Sequence, residues 1–164
     1  MTPWRTVAHH SMPVPDDWRE RLLARLPERP RRIGLWAELA LYGARACLDD
    51  AAEETLASGA ILIVASLRGP VGAMRAALHE QTTHGSPMPF SFLQSQPSQM
   101  LAALCRHLHW NGDARFVLSR DTGALLRLAQ LESGPAGLLL GRVEEGPAQR
   151  SEWWRLVPVR QSAV

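Results

Sequence analysis

The sequence predicts a three-layer α/β domain, with helices on both faces of a mixed or parallel sheet. Three observations carry this. Strand-like apolar runs alternate with helical patterns along the chain. The run Ala60-Ile61-Leu62-Ile63-Val64-Ala65 is continuously apolar, as in a strand buried on both faces. The 164 residues are 46% hydrophobic and 21% charged, which suits one globular domain, 1–164, rather than a disordered chain.

Residues 1–15 contain prolines and His9-His10 and read as an extended lead-in. Asp16 and Asp17 are N-cap candidates for a short helix over 18–26, which Pro27 and Pro30 stop. A longer helix is expected over 33–48, where Leu35, Leu39, Tyr42 and Ala46 recur at helical spacing. Gly34 and Gly43 work against it, since glycine inside a helix is unfavourable. The acidic linker Asp49-Asp50 to Glu53-Glu54 precedes the strand over 60–65. Leu67-Arg68-Gly69-Pro70 is a turn into a helix over 71–81, and 82–89, with Gly85, Pro87 and Pro89, reads as loop.

A further helix is expected over 97–109. The turn Asn111-Gly112-Asp113 leads to the short strand Arg115-Phe116-Val117-Leu118. Residues 121–132 read as helix, stopped by Ser133-Gly134-Pro135. Residues 138–143 and 153–159 read as the last strands, Pro158 suiting a strand end or edge.

Composition excludes several classes. The basic charge is all arginine, with no lysine, and the formal net charge is only +2. Apart from Arg29-Pro30-Arg31-Arg32 the arginines are dispersed, so no stripe for a nucleic-acid backbone is present. Two cysteines, Cys47 and Cys105, lie in apolar helical patterns, which fits a reducing cytoplasm better than a disulfide framework. No apolar run reaches the length of a membrane span, and residues 1–17 lack a signal-peptide pattern.

Residues 86–144 carry a resemblance. Ser86-Pro87, Phe90-Ser91 and Pro97-Ser98-Gln99-Met100-Leu101-Ala102-Ala103 resemble the loop and helix that precede the active site of β-ketoacyl synthases. Phe116-Val117-Leu118-Ser119 takes the place of the strand ending at the nucleophile, and Thr122-Gly123-Ala124 resembles the opening of the nucleophile-bearing helix. Ser133 to Gly141 looks like the return strand with its flanking glycines. Counting the upstream elements, the resemblance covers about residues 31–144. It is to the ketosynthase-like N-terminal-domain family sometimes associated with aryl-polyene or related pigment pathways. It implies a three-layer α/β/α half of a thiolase-like fold, with a mixed, mostly buried sheet.

The sequence departs from that family at three points. The expected cysteine falls at Ser119, Arg120 or Asp121, none of which is a thiol. The helix after it is about a turn shorter. The second half of a ketosynthase, with the histidines that support decarboxylative condensation, would begin where this chain ends. Thioester exchange needs a low-pKa thiolate, and condensation needs donors for the enolate. The resemblance therefore implies a subunit without elongation activity.

The same residues have plainer readings. Ser119 and Asp121 serve equally as N-caps, and Ser119 as a nucleophile lacks a local histidine base. Cys105 could be a displaced nucleophile, but a thiol in an apolar helix is usually inert. Cys105, His107 and His109 alternate on a helix and so do not converge on a metal. His9-His10 read as exposed loop residues. Gly69-Pro70-Val71-Gly72 lacks the Lys-Ser/Thr end of a phosphate loop.

The favoured expectation is a non-catalytic, chain-length-factor-like subunit of fatty-acid, polyketide or aryl-polyene-type biosynthesis, without a cofactor. Its partners would be an active ketosynthase, an acyl carrier protein or both, in a homo- or heterodimer, with no nucleic acid and no membrane. Pairing would use the strand Arg115, Phe116, Val117 and Leu118. Arg29, Arg31, Arg32, Trp153 and Trp154 would form a further partner surface. The alternatives are a small acyltransferase or thioesterase using Ser119 or Cys105, and a structural domain with no acyl role. The sheet face that the other half of a ketosynthase covers is expected to keep an apolar patch.

Overall fold

The computed structural model describes residues 3–11 and 13–159; the ends of the expected domain, 1–2 and 160–164, and Met12 lie outside the described residues. The strands are β1 (Trp4–His10), β2 (Ile61–Ser66), β3 (Ala114–Leu118), β4 (Leu138–Glu144) and β5 (Arg150–Pro158). The helices are α1 (Trp18–Arg25), α2 (Leu35–Asp50), α3 (Val71–His84), α4 (Pro89–Gln94), α5 (Pro97–His107) and α6 (Thr122–Glu132).

Among the described residues the strands form one mixed sheet in the order β1-β5-β4-β2-β3. β2 runs parallel to both β3 and β4, while β4–β5 and β5–β1 are antiparallel. β2 is buried along its whole length because both its faces are covered. Leu62 and Val64 join Leu139, Val143 and Trp153 in a core against α2 and α5. Ile61, Ile63 and Ala65 join Leu138, Leu140 and Leu156 in a second core on the other face. Leu125 and Ala129 of α6 close that second core, so the helix–sheet–helix layering follows from the alternation along each strand.

The structure adds to one sequence expectation and corrects another. The extended lead-in is paired rather than alone. Its residues 4–10 form β1, an edge strand paired to β5 from Trp4↔Pro158 to His10↔Trp153, with an irregularity between Thr6 and Ala8. Only Ala8 is fully buried there, so the strand lacks the clean alternation that marks a half-buried one. The loop expected over 82–89 is also shorter. α3 continues to His84, ends on Gly85 in the left-handed region, and Pro89 then starts α4.

α3 and α4 contain no buried residue, and Met74, Leu78, Phe90, Phe92 and Leu93 are all exposed. Asp17 does occupy the cap position of α1, but its carboxylate accepts from Arg21 Nε at 2.9 Å rather than from the helix backbone. No helix among the described residues is long and apolar enough to cross a membrane.

Candidate functional site

The C-terminal ends of β2, β3 and β4 meet at one end of the sheet, where Ser119, Arg120 and Asp121 link β3 to α6. The Ser119 N–H donates to the Ser66 carbonyl at 3.0 Å, extending the β2–β3 ladder by one rung. Ser119 Oγ donates to the Asp121 carbonyl and accepts from the Asp121 N–H, both at 3.2 Å. Asp121 is the N-cap of α6, its Oδ1 accepting from the Ala124 N–H at 2.9 Å. Both side chains are thus engaged in local backbone bonds. Arg120 is exposed and, among the described residues, has no carboxylate within salt-bridge distance.

A polar network sits beside this turn. Ser66 Oγ donates to Glu144 Oε2 at 2.9 Å and accepts from the Gly69 N–H at 2.8 Å. The Leu67 N–H donates to Glu144 Oε1 at 2.6 Å. Arg142 Nη1 donates to Thr122 Oγ1 at 3.1 Å, tying the first turn of α6 to β4, while the buried Arg142 Nε makes no hydrogen bond among the described residues and lies 3.9 Å from Glu144 Oε1. The Gly72 N–H at the start of α3 donates to the Glu145 carboxylate. Glu145 therefore occupies the helix start that a phosphate loop would leave open, and burial raises its pKa.

No thiol lies in this turn. Cys47 is fully buried in the α2 core, and burial pushes its thiol up to about 12. Cys105 is half-buried on α5, and burial raises it as well. A thiol used for thioester exchange needs the opposite shift. Among the described residues no imidazole hydrogen-bonds to Ser119, and no three His, Cys, Asp or Glu side chains converge as a metal site.

Among the described residues β3 is an edge strand, bonded on one side only, to β2. Phe116 turns inward and meets Trp36 edge-on, with centroids 5.3 Å apart. Val117 packs against the second core. Arg115 is held by Asp113 at 2.6 Å and by Glu132 of α6. Leu118, on the Phe116 face of the strand, is 66% exposed; on the other face of the sheet the outer side of α6 exposes Leu128 at 52% and Leu131 at 77%. The sequence expects an apolar patch on a sheet face; these leucines of α6 lie on a helix instead, and the sheet face beneath α6 is covered.

The second expected surface divides. Trp153 is not available to a partner: it is fully buried, with its Nε1 donating to Ser151 Oγ at 3.0 Å. α2 packs on one face of β5 and covers Trp153 there, while Trp154 points to the other face. Trp154, half-buried, stacks on His9 at 5.0 Å. His9 and His10 are accordingly strand residues bonded to Glu152 and Asp50, not loop residues. Arg29, Arg31 and Arg32 are exposed at the mouth of a cavity of about 820 Å³ that also takes in Phe90 and Arg106. Sequence reasoning missed these last two, because the segment around Phe90 reads as loop and Arg106 as ordinary helix surface.

No protein-family model matches the chain, and no curated protein does. Solved structures do. The chain superposes with a TM-score of 0.61 on a chain of the ketosynthase–chain length factor complex from Xenorhabdus doucetiae, covering 98% of this chain and 79% of that one at 13% identity. It superposes with a TM-score of 0.63 on a chain of the ishigamide ketosynthase/chain length factor, covering 97% of this chain and 58% of that one at 12% identity. The fold is ketosynthase-like. In this ketosynthase-like chain the strand-to-helix turn after β3 holds Ser119, Arg120 and Asp121, and the described part of the sheet has β3 as a free edge.

Proposed function

We propose that the chain is a non-catalytic ketosynthase-like subunit that pairs with an active ketosynthase, in the manner of a chain length factor. The observation that carries this is a ketosynthase-like fold whose turn after β3 offers a capping aspartate and a serine bonded to its own backbone, instead of an activated nucleophile. Pairing runs through the free edge of β3, Arg115 to Leu118, where unbonded backbone groups and the exposed Leu118 can add to another chain. The biosynthetic setting is fatty-acid, polyketide or aryl-polyene-type assembly in the cytoplasm, with an acyl carrier protein as a further partner. Cysteine loss at the position of Ser119, Arg120 or Asp121 is part of this reading, as is a single domain over 1–164.

The test is intact-mass analysis after incubation with an acyl-thioester probe, beside size exclusion with light scattering, with and without a purified ketosynthase. The expected result is no adduct and a dimer, homo- or hetero-. A stoichiometric adduct on Ser119 or Cys105 would make this a small acyl-transfer enzyme. A monomer both alone and beside the ketosynthase would leave a structural domain with no pairing role.

A further inference from the structure

Nine-residue segments of loop rarely stay rigid without anchors, and the one that joins α1 to α2 has several. Pro30 is buried while Arg29, Arg31 and Arg32 on either side are exposed. Arg32 holds a left-handed backbone, φ 60°, and its carbonyl accepts from Gln94 Nε2 of α4 at 3.1 Å. Its guanidinium lies over the Phe90 ring, 4.6 Å from the centroid. The loop is therefore fastened to α4 on one side of the cavity, and α5 supplies the other side with Gln99 and Arg106.

The charge of this cavity is lopsided. Four arginines line it, Arg29, Arg31, Arg32 and Arg106, against one carboxylate, Glu28. Eight other arginines of the protein, Arg155 and Arg115 among them, have a carboxylate within salt-bridge distance; among the described residues none of these four does. Ile33, Phe90, Leu93 and two alanines of α5 also line it, so apolar and cationic groups share the lining. Burial and the Arg106 charge hold the neighbouring His107 below its ordinary pKa, as a positive environment requires.

We infer that this groove between the α1–α2 loop, α4 and α5 is a binding site for an organic phosphate, a phosphate group carried on an apolar moiety. Guanidinium groups bind phosphate oxygens in pairs, and several lining one cavity suit a dianion better than a single carboxylate. The cavity's size lies in the range of small-molecule sites, roughly 300–1,000 Å³, and a concave lining with both apolar and cationic groups favours a small amphiphile over a flat protein surface. The site stands independently of pairing through β3.

Calorimetric titration with octyl phosphate tests it, with inorganic phosphate, octyl glucoside and polyglutamate as the comparison ligands. The expected result is saturable binding of octyl phosphate, at least tenfold tighter than inorganic phosphate or octyl glucoside. Arg32→Gln and Arg106→Gln should each weaken it about tenfold, with circular dichroism and melting temperature unchanged. No binding, equal binding of either control, or indifference to both substitutions would overturn the assignment. Tighter binding of polyglutamate than of octyl phosphate would overturn it too, in favour of a surface for an acidic protein. A variant that fails to fold is replaced by Arg29→Gln, whose exposed side chain has no packing role and for which the same loss is expected.

Discussion

The indole of Trp153 lies directly against the backbone of Gly43, so closely that a Cβ at position 43 would fall well inside contact distance of both the ring and Ser151 Oγ. Gly141 of β4 meets the same ring on the strand side. Ser151 Oγ completes the junction by donating to the Leu39 carbonyl at 2.6 Å. α2 and the sheet are thus joined by a tryptophan set between two glycines. Gly43→Ala should destabilise the fold even though alanine is the better helix former by about 1 kcal/mol. Overpacking of this kind costs about 1–3 kcal/mol, and a lowered urea midpoint would show it. An unchanged midpoint would mean that α2 can shift away from the sheet at no cost.

Arg155 is the buried charge among the described residues, 2% exposed and bonded through Nε to both carboxylate oxygens of Glu53 at 3.0 and 2.9 Å. Its Nη1 donates to the carbonyls of Ala136 at 3.1 Å and Leu156 at 3.0 Å. Glu53→Ala leaves that guanidinium buried without a counter-charge, a loss of about 3–5 kcal/mol on the scale of broken buried pairs. Chemical denaturation of this variant reads it. A loss no larger than that of the exposed pair Arg21–Asp17 would show that water reaches Arg155.

Glu152 sets a pH dependence. Burial opposes its ionisation, but hydrogen bonds from His9, Arg150 and Ser11, with the Arg150 charge, hold its pKa below the ordinary carboxylate value. A carboxyl depressed in the folded state contributes stability above its unfolded pKa of about 4.3, and that contribution disappears as pH falls through the folded value. The melting temperature should therefore drop on acidification below about pH 5, and drop less steeply in Glu152→Gln. Parallel curves for the two proteins would remove Glu152 from the account.

The thiols should be unreactive in the native state. Cys47 is fully buried with its pKa pushed up to about 12, so it should resist a disulfide reagent at pH 8 until the protein unfolds. Cys105, half-buried and also raised, should react slowly. Rapid labelling of either cysteine would reopen the acyl-transfer alternative.

What the sequence made legible was the part governed by local pattern. The continuous apolar run at β2, the periodicity of α2 and the turn before β3 each predict an element in the right place, with bounds shifted by a residue or two. Gly43 reads as a defect in a helix because its reason is a tryptophan about a hundred residues away. β1 was illegible for a similar cause: an edge strand that buries only Ala8 has no alternation to read, and only β5 gives it a sheet to join. Trp153 and Trp154 alternate faces as the sequence implies, but which face is covered depends on where α2 packs. The groove beside Arg32 draws on three elements, one of them α4, which hides among prolines and glycines.

The pairing edge makes the last prediction. Leu118 ends β3 with 66% of its surface exposed, and Leu131 of α6 is 77% exposed, so neither supports the core. Substituting either by arginine should leave the melting temperature within about 1 °C, since surface changes away from packed features cost little. If β3 and the outer side of α6 meet a second chain, Leu118→Arg should weaken association with the ketosynthase, or self-association, more than tenfold, because an unpaired charge would be buried in the interface. Leu23→Arg on α1, at 38% exposure, is the control on the helix layer opposite α6 and should leave association intact. Analytical ultracentrifugation of the three variants decides it: equal association for all three would place the interface away from β3, and loss in Leu23→Arg alone would place it on the α1 side.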